Sequence, residues 1–154
     1  MLHYRVARAT ARPVGSGRTR KAARLIAGLI PAAEGPMSGD MRQALDERRE
    51  LIEARADAVL NTARNAGQPW TRPLGDPPRE PRKAAAWRQH ARTIAAYRDR
   101  YGITDGTPLG APRSDIQKID RARAASALRT IEMATQAPEH GRQPVRQVAR
   151  GFGI

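Results

Sequence analysis

Cysteine is absent, aromatic residues make up only 4% of the chain with a single phenylalanine, Phe152, and lysine occurs only at positions 21, 83 and 118. Each shortage excludes something. Without thiols there are no disulfides and no thiolate metal sites, which suits a reducing compartment. With so few large rings and much of the 40% hydrophobic share supplied by alanine, the core is modest and built from closely approaching helices. Long apolar runs are missing as well. Leu25 to Ile30 is too short to span a bilayer, and the N-terminal residues lack the apolar segment of a secretory signal, so cytoplasmic location is the expectation.

What is abundant is arginine. The 154 residues carry a formal charge of +13, and the guanidinium fork suits phosphate oxygens. A field of this sign attracts polyanions of any kind, and nucleic acid is the favoured partner. The charge is unevenly spread. Residues 1–33 contain Arg5, Arg8, Arg12, Arg18, Arg20, Lys21 and Arg24 and no acid, whereas residues 34–66 are net acidic.

Apolar spacing and local stop signals divide the chain into a basic N-terminal arm (1–37), a helical domain (38–135) and a basic C-terminal tail (136–154). In the arm, Ala22, Leu25, Ile26, Leu29 and Ile30 fall on one helical stripe ended by Pro31, which predicts a short basic helix. Ser38 or Asp40 caps a long helix from Met41 to Ala66, stopped by Gly67. Leu45, Ile52 and Val59, widened by Met41, Ala56, Leu60 and Ala63, form its packing face, and its many carboxylates read as a solvated face. Five prolines between Gly67 and Pro81 predict an extended connection pinned by Trp70 and Leu74.

A second helix spans Arg82 to Tyr101. Trp87 and Ile94 face the core, with Trp87 set against Ile52 or Val59, while Arg82, Lys83, Arg88 and Arg92 are candidates to meet phosphates. Arg18, Arg20, Lys21 and Arg24 form a second contact zone. A basic face that is merely solvated explains the same pattern. Ser114 and Gln117 mark a capping box for a third helix reaching Ala134, with Ile116, Ile119, Ala127, Leu128 and Ile131 as its apolar contacts. Pro73-Leu74-Gly75 and Pro108-Leu109-Gly110 repeat one turn chemistry in which leucine plugs the core. The fold class expected is all-α, a small bundle of three main helices.

Catalytic and cofactor patterns are not apparent. His3, His90 and His140 lack metal-ligand spacing, Gly15-Ser16-Gly17-Arg18 falls short of a phosphate-binding loop, and Tyr97 and Tyr101 have no accompanying base or metal. No cofactor, metal or enzymatic activity is expected.

The segments RRELIEARADAVL (48–60), Pro69-Trp70, PLGDPP (73–78), AAWRQHARTIAAYRDRYGI (85–103) and PLGAP (108–112) together resemble the region that follows the catalytic domains in actinobacterial conjugative relaxase/helicase proteins of the MobF class. The resemblance runs from Glu47 to Arg129. It implies a non-catalytic C-terminal-type module of plasmid mobilisation that contacts DNA, the relaxase machinery or a coupling protein, or a remnant of such a region. The three-histidine metal site and the helicase nucleotide motifs of that class are absent, so no catalytic residue carries over. A protein-interaction module and an RNA- or ribosome-associated protein are the alternatives.

Overall fold

The computed structural model describes residues 24–136, and these form an all-α domain with one short hairpin. Strands β1 (Leu25–Ile26) and β2 (Ile30–Pro31) pair antiparallel, followed by α1 (Gly39–Asn65), a 3₁₀ turn (Pro69–Leu74), α2 (Pro81–Arg100) and α3 (Asp115–Gln136).

The helix ends follow the local chemistry. Ser38 Oγ accepts the Met41 amide at 3.2 Å, and Asp40 sits in the first turn of α1, where the helix dipole favours a negative charge. At its far end Gly67 adopts φ +61°, while its amide donates to the Arg64 carbonyl and that of Gln68 to Ala63, the reciprocal pattern of a Schellman stop. Gly102 ends α2 the same way, with φ +57° and the Ile103 amide donating to Arg98. Pro81 opens α2, where its missing amide costs nothing. In α3 the Gln117 amide donates to Ser114 Oγ at 3.2 Å, and the Gln117 side chain accepts from the Arg113 amide, one residue earlier than in the standard box.

Helix α2 lies between the other two and packs on both. Ala91, Ile94, Ala95 and Tyr97 are fully buried in it, in one cluster with Leu60 and Ala63 of α1 and Ala124, Ala127 and Ile131 of α3. Trp87 is buried, and its Nε1 donates to the Leu74 carbonyl at 2.9 Å. It lies beside Leu60, the neighbour of the expected Val59 and well beyond Ile52, and under the Arg64 guanidinium, 4.8 Å from the ring centroid.

In the hairpin, the proline segment and two apolar stripes the structure departs from the sequence expectation. Residues 25–31 are a hairpin and not a helix, because Ala27 (φ 48°) and Gly28 (φ 70°) turn the chain in the left-handed region. The proline segment is a compact 3₁₀ turn with Trp70, Thr71 and Leu74 buried, and not an extended connection. Met41 and Leu45 are exposed because α1, at 27 residues, outruns the 20 of α2 and leaves its first turns without a helical partner. Ile116 and Ile119 are exposed because the buried seam of α3 runs instead through Gln117, Asp120, Ala124, Ala127 and Ile131.

The repeated turn behaves as expected. Leu74 and Leu109 are both buried, and Gly75 and Gly110 both have positive φ.

Candidate nucleic-acid interface

Four of the expected phosphate contacts lie on α2, and the structure divides them. Arg88 donates to Asp57 at 3.1 Å, and Arg92 contacts Glu53 at 3.0 Å and Asp57 at 3.4 Å. The two arginines stand about one turn apart and meet a matching acidic edge of α1. Glu53 and Asp57 are therefore half-buried interhelical partners, which corrects the reading of the α1 carboxylates as a solvated face. Lys83 is exposed and pairs with Glu80 at 3.0 Å, and Arg82 is exposed on the first turn. Arg24 is exposed where the chain enters β1. Arg18, Arg20 and Lys21 lie outside the described residues.

The hairpin is fastened by its tip. Glu53 Oε1 accepts the Ala27 amide at 2.7 Å, and Arg123 Nη1 donates to the Leu29 carbonyl at 2.6 Å. At Gly28 a Cβ would lie 2.2 Å from Thr93 Oγ1, so the turn rests on α2 as closely as glycine permits. Leu29 and Ala27 are buried beneath it.

This docking creates a cleft of about 710 Å³ between the hairpin and all three helices. Arg24, Arg49, Arg92 and Arg123 line it, each from a different element, together with Gln89, His90, Thr93 and Ser126. Glu53 is its single carboxylate. Arg49 and Arg123 each have one further acidic neighbour, Asp46 at 3.3 Å and Asp120 at 3.2 Å. Arg92 keeps a buried Nε with no acceptor among the described residues. Such a donor is costly inside a protein. Burial lowers the pKa of His90 below its ordinary value by desolvation, so its neutral form is favoured in the free protein.

Other buried polar groups build the scaffold. The Arg98 guanidinium, 4.8 Å from the Trp70 ring centroid, donates to the carbonyls of Ile103, Asp105, Thr107 and Pro108 and so shapes the α2–α3 connection. Desolvation lowers its pKa, partly opposed by Asp105. Asp120 accepts the Tyr101 hydroxyl at 2.7 Å and faces Arg100 and Arg123. A second depression of about 500 Å³ beside Trp70 contains Arg55 and Arg98, but Arg55 is paired with Asp99 and Arg98 is held by the connection.

Arg49, Arg123, Gln89 and Thr93 were not singled out by the sequence. Their convergence depends on the hairpin and on helix register, and the only local sign was the alternation of Arg49, Glu53 and Asp57 along one edge of α1. Among the described residues no group of three or more His, Cys, Asp or Glu side chains is placed to hold a metal ion, and no helix is long and apolar enough to cross a membrane. Comparison of the chain with protein-family models, with curated proteins and with solved structures finds no match.

Proposed function

We propose that this chain is a non-catalytic nucleic-acid-binding module, with DNA as the favoured ligand, that works in plasmid conjugative transfer beside a relaxase or coupling protein. The binding part of the reading rests on one observation: the hairpin brings Arg24, which belongs to the acid-free stretch 1–33, into a cleft lined by three further arginines and one carboxylate. The cleft and the basic residues of the arm then offer positive charge to the same ligand. Contacts made by such a surface go to the phosphate backbone, so binding is independent of base sequence and weakens as salt rises. The conjugation setting rests on the resemblance of residues 47–129 described above.

The test is fluorescence anisotropy of the full chain with random-sequence single-stranded DNA, duplex DNA and RNA over a series of salt concentrations. Salt-dependent binding without sequence preference supports the reading, and absence of binding at low salt overturns it.

A second reading, docking onto a protein partner, is favoured by the exposed side chains of Met41, Leu51, Ile116, Ile119 and Met133. Binding through those residues would change little with salt.

A further inference from the structure

We infer that the cleft between the hairpin and the three helices is a seat for a single phosphate group, with Arg92 at its centre. The inference deepens the nucleic-acid reading and rests on it only for the origin of the phosphate.

Three features separate this cleft from a generally basic surface. Two of its cations are fixed: Arg92 is tied to Glu53 and Asp57, and Arg123 to the Leu29 carbonyl and Asp120. A bound anion therefore meets guanidinium groups that are already ordered, which reduces the entropy lost on binding. Next, both ties of Arg92 to acids run through Nη1 and its Nε is buried, which leaves Nη2 as the guanidinium nitrogen to meet an anion. Finally, the cleft brings neutral donors together with the charges. Gln89 carries an amide group, and Thr93 and Ser126 carry hydroxyls. Thr93 Oγ1 donates to the Gln89 carbonyl at 3.2 Å and keeps lone pairs that serve only as acceptors, leaving Gln89 and Ser126 as the neutral donors. Glu53 is the one carboxylate on the lining, while Asp46, Asp57 and Asp120 pair with Arg49, Arg92 and Arg123 from outside it, and charge-assisted hydrogen bonds from guanidinium to phosphate are among the stronger polar contacts in proteins.

The phosphate has two possible sources, an internal backbone diester or a terminal monoester. Both present non-bridging anionic oxygens, and the experiment distinguishes them.

The Arg92 Nε–H resonance is followed by ¹H–¹⁵N NMR in the full chain during titration with inorganic phosphate, at ionic strength held constant with chloride. The expected result is a saturable shift of that signal, accompanied by the backbone amides of Gln89 and Ser126. Arg24→Ser combined with Arg49→Ser, two changes outside the buried core, should weaken the binding by about fivefold or more. Arg92→Lys should lose the shift of the neighbouring amides while the helical spectrum persists, because lysine retains the charge and lacks the guanidinium fork. A 5′-phosphorylated oligonucleotide that binds more tightly than its hydroxyl form identifies a terminal phosphate, and equal affinity with the same shifts identifies the backbone. Either result supports the seat. If none of the cleft signals moves with phosphate or with either oligonucleotide, the seat is wrong, even where DNA still binds elsewhere. If phosphate moves them and no nucleic acid binds, the seat stands and the nucleic-acid reading fails.

Discussion

Glu53 and Arg92 meet at 3.0 Å across the α1–α2 interface, and the other oxygen of the same carboxylate accepts the Ala27 amide at 2.7 Å. One side chain thus orders both the central arginine of the cleft and the hairpin that closes it. Glu53→Gln is expected to lower stability by about 1–2 kcal/mol, as for the loss of charged hydrogen bonds at a partly exposed site. The same change removes the only carboxylate lining the cleft. DNA affinity should therefore rise by roughly threefold, the effect of about 0.7 kcal/mol from one unit charge a few ångströms away in a high-dielectric setting. Urea denaturation and anisotropy together check the opposite signs. A parallel loss of stability and binding would show that Glu53 serves only to hold the fold.

Gly28→Ala should release the hairpin from α2. The added methyl would meet Thr93 at 2.2 Å, and alanine is disfavoured at φ +70°. A loss of about 1–3 kcal/mol is expected, the usual range for overpacking. Adding Thr93→Ala should recover the steric part and leave the backbone part. Full recovery in the double variant would show that φ carries no cost here, and no recovery would show that the clash with Thr93 is not what limits the site.

Trp87→Ala is expected to cost about 3–5 kcal/mol, enough to unfold a small domain. Trp87→Phe should cost about 1–3 kcal/mol, because it keeps most of the ring burial but leaves the Leu74 carbonyl without its donor. Both tryptophans, Trp70 and Trp87, are buried, so acrylamide should quench the native emission weakly. Strong quenching of the folded protein would contradict the burial and favour a stacking role.

Much of this scaffold is legible in the sequence because it depends on signals a few residues apart. Ser38, Gly67, Pro81, Gly102 and Ser114 mark helix ends through local hydrogen bonds and backbone preferences, and Trp87 and Ile94 mark the buried face of α2 through spacing alone. The hairpin was not legible. Leu25, Ile26, Leu29 and Ile30 fit a helical stripe equally well, and Ala27-Gly28 is not the Asn-Gly or Asp-Gly pair that usually announces such a turn. The cleft was hidden for a different reason. Its arginines come from four elements, and the fate of Arg88 and Arg92 depends on the register that sets them against Glu53 and Asp57.

His90 gives the cleft a pH dependence whose sign follows from its burial. Its desolvation-lowered pKa means that the unfolded chain, with an ordinary value of about 6.5, binds the proton more readily. Stability from this group is present above that value and declines as pH falls toward the lower folded-state pKa. A protonated His90 joins Arg24, Arg49, Arg92 and Arg123 opposite Glu53, so DNA affinity should increase over the same interval and bound DNA should raise the His90 pKa. An NMR titration of the imidazole with and without DNA checks this. A pKa unmoved by DNA would place the nucleic acid away from the cleft.

The most direct test of the central claim is the salt dependence of DNA binding, measured for the full chain and for the full-length variant with Arg18, Arg20, Lys21 and Arg24 all changed to serine. A steep log–log slope is expected for the parent, smaller in the variant by about one for each phosphate that the variant no longer neutralises. A parent slope near zero would contradict the account and transfer the function to the exposed apolar residues of α1 and α3.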